Sequence, residues 1–287
     1  VASSMNNLAE VHRVLGQFEE ARPLYQRAIK MAEETMGQEN TMVAAALNNL
    51  AELERVQGNY SVAEPLYRQS IQLREKILGT EHPDLAQALN NLALLYAAQN
   101  QFQDAEPLYE RAVNIYKTAY GEQHVLVAAT LSNLAEMYRS KDEYAKAEPL
   151  FDKALAIYEK LLGPEHPNVA TARNNLALLY AQANKPREAE KNFLAALAIQ
   201  EKVFGRDSAA IGTTLTNLAT FYQERGRYAD AEQHWRRALA IAEKVYGPRD
   251  ARLAAPLDSL ADIYRKMGRD QEAAAMAERS RQLAASR

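Results

Sequence analysis

Two rows of carboxamides dominate the polar residues of this 287-residue chain. Asn7, Asn49, Asn91, Asn133, Asn175 and Asn217 recur every 42 residues, and only Ser259 breaks the series. One residue earlier a second row reads Asn6, Asn48, Asn90 and Asn174, with Ser132, Thr216 and Asp258 at its other positions. A carboxamide donates and accepts at once, so a row of them suits gripping the main chain of an extended peptide without reading its side chains. Asparagine is a poor helix former, so its repetition within a helical pattern asks for such a reason. The same chemistry also allows an amide to bond the adjoining repeat and fix the spacing of helices. Beside the rows the pattern varies. Repeats one, two and four carry Glu10–Arg13, Glu52–Arg55 and Glu136–Arg139, and repeats three and five carry Leu94–Ala97 and Leu178–Ala181 instead. Arg55 and Arg139, with Arg13 in the same column, are candidates to pair acidic groups of a ligand. They can also close i,i+3 surface pairs worth ~0.2–0.5 kcal/mol. Leu94 and Leu178 are candidates to floor pockets for apolar or aromatic side chains, or to add packing between repeats.

Other reactive residue types fall into structural patterns. His82, His124 and His166 also recur every 42 residues, with no second ligand at a zinc-like spacing. Their place beside Pro83 and Pro167 predicts a helix-start role. His12 and His234 are single helical histidines that read as packing. Cysteine is absent, which removes disulfides and thiolate chemistry. There is no glycine-rich phosphate loop, and no Ser–His–Asp or paired-carboxylate arrangement stands out from the repeat background. The expectation is that the chain is not an enzyme and needs no cofactor or metal.

The elements that position these residues follow from the period. Leu-Ala occurs at 8–9, 50–51, 92–93, 134–135, 176–177, 218–219 and 260–261 without an insertion. Ala21, Ala63, Ala105, Ala147, Ala189, Ala231 and Ala273 keep the same phase, as do Gly37, Gly79, Gly121, Gly163, Gly205 and Gly247. The column of Gly16 reads Gly58, Asn100, Asp142, Asn184, Gly226 and Gly268. These are the residue types that tolerate the left-handed conformation closing a helix. A first helix therefore ends there, with Leu131, Leu134, Ala135 and Tyr138 of repeat four on one face. A second helix carries Tyr144, Ala147, Leu150, Phe151, Ala154, Leu155 and Tyr158. Pro23, Pro65, Pro107 and Pro149 lie in its early part, where missing N–H groups cost least. The conserved phase of Tyr96, Tyr138, Tyr180, Tyr222 and Tyr264 assigns these tyrosines to the core.

Composition narrows the class of partner. Hydrophobic residues are 47% and charged residues 25%, values of a folded globular chain. The net charge of −3 is spread without a basic stripe, which argues against nucleic acid. No apolar run reaches the roughly 18–20 residues that span a bilayer, so a membrane role is not expected. Length alone suggests about two domains, but the unbroken period predicts a single array over 1–287. Its repeats lie at about 1–38, 39–80, 81–122, 123–164, 165–206, 207–248 and 249–287.

The pattern Leu134, Ala135, Tyr138, Asp142, Tyr144, Ala147, Phe151, Ala154 resembles a tetratricopeptide repeat, with a second helix longer than the usual 34-residue unit allows. Segments such as Leu89–Tyr96, Ala105–Tyr109 and Leu162–Pro167 are similar to the repeats of kinesin light chain. The resemblance covers nearly the whole chain. It implies an all-α, right-handed superhelical solenoid of seven helix–turn–helix repeats, with the first helices lining a concave groove. In related repeat proteins the asparagine row holds peptide main chain. A protein or peptide ligand is thus the implied partner, and the implied function a non-catalytic scaffold. The Lys and Arg residues of a carboxylate clamp are missing, since Ser, Ala, Gln and Thr flank the asparagines. Repeat seven, with Asp270, Ala277 and Arg281 at apolar columns, reads as a polar cap. Repeat one starts at full strength at Val1, which predicts further repeats or another domain upstream. The alternative function is therefore a regulatory or self-associating array within a larger effector, such as a nucleotide-hydrolysing regulator. A cytoplasmic location is expected.

Overall fold

The computed structural model describes residues 1–285, and they form fourteen α-helices and two short 3-10 turns with no strand among them. The helices come as hairpins, in the order the period predicts. They fall into two compact units, residues 1–157 and 158–287.

The first unit holds α1 (Ala2–Val14), α2 (Phe18–Met36), α3 (Thr41–Val56), α4 (Tyr60–Leu78), α5 (Pro83–Ala98), α6 (Phe102–Tyr120) and α7 (Val125–Ser140). It also holds most of α8 (Tyr144–Leu162), in which the division falls. Each hairpin packs on the next through α2 on α3, α4 on α5 and α6 on α7, while α1, α3, α5 and α7 adjoin one another. The second unit holds α9 (Pro167–Gln182), α10 (Pro186–Phe204), α11 (Gly212–Glu224), α12 (Tyr228–Tyr246), α13 (Ala254–Lys266) and α14 (Asp270–Ala285). It stacks in the same way, through α10 on α11 and α12 on α13.

Local chemistry sets the boundaries. The first helices of repeats three, four and five begin at a histidine. The imidazole Nδ1 atoms of His82, His124 and His166 accept from the backbone N–H of Asp84, Leu126 and Asn168 at 3.1–3.2 Å. Asn40 caps α3 by accepting from Val43 at 2.9 Å. These bonds satisfy N–H groups that have no partner within the helix. Asn100, Asp142 and Asn184 end their first helices at φ of 59°, 58° and 56°. The prolines differ from expectation. Pro23, Pro65, Pro107 and Pro149 are each the sixth residue of their helix, beyond the four N–H groups that are free anyway. The missing donor instead leaves the carbonyls of Glu19, Ser61, Gln103 and Ala145 without that bond. All four of those residues are exposed, so water can serve them.

Alanine columns let the helices approach. Ala9, Ala21, Ala51, Ala63, Ala177 and Ala189 have no exposed surface, and the aromatic column packs over them with Tyr25, Tyr67, Phe151 and Phe193 equally covered. Each such large side chain contributes about 1.5–3 kcal/mol by burial. α1 is different. Leu8 and Val11 are 49% and 55% exposed, whereas Leu50 and Leu53 in the same columns are 7% and 0% exposed.

Candidate functional site

The adjoining first helices bring the two asparagine rows into register, and within the first unit the amides form a continuous chain. Asn133 donates to Asn90 at 3.0 Å, and Asn90 to Asn91 at 3.4 Å. Asn91 then donates to Asn48 at 3.2 Å, Asn48 to Asn49 at 3.4 Å, and Asn49 to Asn6 at 3.2 Å. In the second unit Asn217 donates to Asn174 at 3.2 Å. Each cross-repeat step therefore runs from the later asparagine of one repeat to the earlier asparagine of the repeat before it. The structural use of the amides that the sequence left open is present. A carboxamide has two N–H bonds, and each rung uses one.

The rows differ in accessibility. Asn48 and Asn174 are buried, Asn7 is exposed, and Asn49, Asn90, Asn91, Asn133, Asn175 and Asn217 are half-buried. The positions beside them are half-buried as well: Arg13, Arg55 and Arg139, and Leu94 and Leu178. Leu178 packs partly on the core of its unit.

The Glu–Arg pairs are more than surface pairs. Arg55 grips Glu52 through Nε at 2.8 Å and Nη2 at 2.7 Å, and the Tyr67 hydroxyl donates to the same carboxylate at 2.7 Å. Repeat one builds the same group from Arg13, Glu10 and Tyr25. In repeat four Arg139 forks onto Glu136, and Phe151 takes the place of the tyrosine. The bond from Arg13, with those from Tyr25, holds the Glu10 carboxyl below the usual carboxylate range against the effect of burial. At Glu52 burial pushes upward, and the bonds from Arg55 and Tyr67 outweigh it, so this carboxyl is also lowered. Burial and the bond to Glu52 push the Tyr67 hydroxyl well up.

A second set of bonds, 32 residues apart in sequence, latches α5, α7, α11 and α13 each to the second helix before it. Tyr96 donates to Glu64 at 2.8 Å, Tyr138 to Glu106 at 2.6 Å, Tyr222 to Glu190 at 2.8 Å and Tyr264 to Glu232 at 3.1 Å. Basic groups cover these rings: Lys141 on Tyr138, Arg227 on Tyr222 and Arg269 on Tyr264. Between repeats one and two the latch is a charge pair, with Arg22 3.3 Å from Glu54. Burial first, then the bond to Glu64, pushes Tyr96 up to about 12. The tyrosines were legible as core, whereas their hydroxyl partners were not. The fixed 32-residue offset to a glutamate was the available signal.

The row ends between repeats six and seven, where Thr216 and Ser259 replace the amides. There Trp235 donates to Gln223 at 3.1 Å, and Gln223 donates to Asp262 at 3.0 Å. Clefts of about 370 and 420 Å³ flank Trp235, the first lined mainly by apolar residues and the second by Gln223, Glu224, Asp262 and Lys266 among others. No group of acids and histidines among the described residues could hold a metal ion, and no described helix is long and apolar enough to cross a membrane.

Comparison with known proteins agrees with this geometry. The family model described as tetratricopeptide repeat matches residues 1–55, 42–118, 126–208 and 210–286. No curated protein matches the chain in sequence. Among solved structures, BtubC (BKLC) from P. vanneervenii is 26% identical, with a TM-score of 0.66 over 82% of this chain and 91% of that one. A Podosopora anserina protein described by kinesin light chain nearly identical TPR-like repeats is 28% identical. Its TM-score is 0.59, over 70% of this chain and 95% of that one. The signal transduction ATPase with a tetratricopeptide repeat sensor from Pyrococcus horikoshii is 15% identical, with a TM-score of 0.65 over 92% of this chain and 38% of that one, and shares the fold.

Proposed function

Because the chain belongs to the tetratricopeptide repeat family, with repeats of the kinesin light chain-like subtype, we propose that it is a non-catalytic scaffold, a single array over 1–287 that holds an extended peptide or partner segment against its first helices. The observation that carries this reading is the amide chain. It aligns a row of half-buried carboxamides and leaves one N–H on each to meet ligand carbonyls. Asn49, Asn91, Asn133 and Asn217 supply that row, with Asn90 beside them and Asn48 and Asn174 as its buried supports, and Asn7 and Asn175 are offered as further ligand contacts in the same sequence column. Arg55 keeps Nη1 for an acidic ligand group while Nε and Nη2 hold Glu52, and Arg13 and Arg139 stand in the same column. Leu94 and Leu178 interrupt these polar walls with apolar stations. Protein, not nucleic acid or membrane, is the partner this lining suits.

The test is a library of 12-residue peptides captured by wild type and by an Asn91→Ala/Asn133→Ala variant. Circular dichroism and thermal melts run beside it, because each lost rung also costs about 1 kcal/mol. Capture should fall tenfold or more in the folded variant, which corresponds to about 1.4 kcal/mol. Undiminished capture by the folded variant, or no capture by wild type, refutes the reading.

One observation favours a second use. α1 and the cap that follows it present Leu8, Val11, Val14 and Leu15 to solvent, a face suited to self-association or to another domain of a larger effector. Light scattering against concentration distinguishes it, since a monomer at all concentrations removes self-association.

A further inference from the structure

Because the repeats align without gaps, each junction is a control for the others. In the second helices one column reads Arg74, Tyr116, Tyr158 and Gln200, all large and all buried. Repeat six has Ala242 there. On the facing first helix, Ala44, Ala86, Ala128 and Ala170 share a column and are fully covered, and repeat six has Gly212. Both changes remove volume from one place. The 370 Å³ cleft opens there, and Gly212 and Ala242 both line it. A Cβ added to Gly212 would meet nothing within 4 Å.

Repeat one shows that alanine in this column need not leave a gap. Ala32 is fully covered, and Met42 at the start of the next first helix packs in its cluster. The residue equivalent to Met42 at the cleft is Arg252. Its guanidinium lies 3.5 Å from the centroid of the Tyr246 ring and grips Asp250 through two bonds of 2.8 Å. Arg252 is thus held at the edge, stacked and paired, and the space stays open.

We propose that this cleft receives an aromatic side chain, tyrosine or phenylalanine, from the bound partner segment. The inference rests on the peptide-holding reading and names what the segment must carry. The size follows from the missing residue, since Tyr116 and Tyr158 fill the same column in sister repeats. The lining agrees, with Ala242 and Trp235 as apolar walls and Tyr246 as an aromatic one. Arg252 in the lining provides a donor for a phenol hydroxyl. The volume is within the range of preformed ligand sites, and an apolar cavity accepts an aryl group without new polar costs.

Trp235 is the only tryptophan of the chain and lines the cleft, so its emission reports occupancy. Wild type, Ala242→Tyr and Gly212→Leu would be titrated with p-cresol, the side chain of tyrosine, with excitation confined to tryptophan. The expected result is a saturable emission change in wild type that is lost in both variants. Ala242→Tyr installs the residue that repeats three and four carry in this column and should melt no lower than wild type, so loss of binding is not loss of fold. The same proteins would be probed with the peptide library. Capture of peptides containing Tyr or Phe should fall at least tenfold in Ala242→Tyr, while capture of peptides lacking them is unchanged. No saturable response in wild type, or an undiminished response in both variants, overturns the inference. Peptide capture that ignores aromatic content overturns it too and leaves the holding reading in place. No capture of any peptide overturns the holding reading itself.

Discussion

At the scale of residues, Glu52, Arg55 and Tyr67 form one unit, and repeat three shows what replaces it. Leu94 and Ala97 stand in the columns of Glu52 and Arg55. Both side chains of the pair are 22% exposed, so neither partner is well served by water if the other is removed. Glu52→Leu alone strands the guanidinium and the Tyr67 hydroxyl, and should cost about 1–3 kcal/mol in urea unfolding. The double change Glu52→Leu/Arg55→Ala transplants a pair this chain already uses and should recover at least half of that loss. If the double variant is as unstable as the single one, the three residues do not act as a unit. The same group fixes an acid dependence. Glu10, Glu52 and Glu64 have folded-state pKa values below their ordinary 4.5. Their ionised forms therefore stabilise the fold fully above the unfolded value, and this contribution is lost as pH falls through the folded values. Stability should decline below about pH 4.5, and the decline should be shallower in Glu52→Leu/Arg55→Ala. Urea midpoints between pH 6 and pH 3 measure it.

At the scale of elements, helix ends and latches determine how each hairpin closes. Gly121 ends α6 at φ 83° and ψ 167°, a conformation that costs other residues of order 1–3 kcal/mol. Gly121→Ala should lose that amount in thermal or urea unfolding. Asp142 sits at φ 58°, which glycine adopts without strain, so Asp142→Gly should be neutral or slightly stabilising. The opposite order of the two variants would contradict the left-handed reading of these caps. This is also where sequence and structure part company. The helix ends were legible because backbone conformation restricts residue type locally, as Asn100, Asp142 and Asn184 show. The alternation of Glu–Arg and Leu–Ala was legible because it breaks a period. What could not be read was which amide bonds which, since Asn48 and Asn49 are adjacent in sequence and only stacking separates a buried support from a half-exposed donor. The cleft beside Ala242 escaped for a related reason. Alanine is unremarkable in a helix, and its meaning depends on whether a Met42 or an Arg252 stands across from it. The prolines misled because early in a helix is not early enough: each is the sixth residue of its helix, and only the first four N–H groups lack a partner.

At the scale of the whole molecule, a column does not fix burial, because burial depends on whether a neighbour stacks on it. Every repeat carries an apolar residue in the columns of Leu8 and Val11, yet in the structure only repeat one leaves both exposed. In a stack of nearest-neighbour contacts, stability is a sum of repeats and junctions, so identical substitutions should have unequal costs along the chain. Leu50→Glu places a carboxylate at a site 7% exposed and Leu53→Lys an ammonium at a site with no exposed surface. Each should cost more than about 3 kcal/mol, the magnitude for burying an unpaired charge. Leu8→Glu and Val11→Lys introduce the same charges on the open face of α1 and should stay within about 0.5 kcal/mol of wild type. Urea unfolding of the four variants, at one protein concentration, decides it. If Leu8→Glu proves as costly as Leu50→Glu, the face of α1 is covered in solution. The loss should then weaken on dilution if a second copy supplies the cover, and an unchanged loss would place the cover within the same chain.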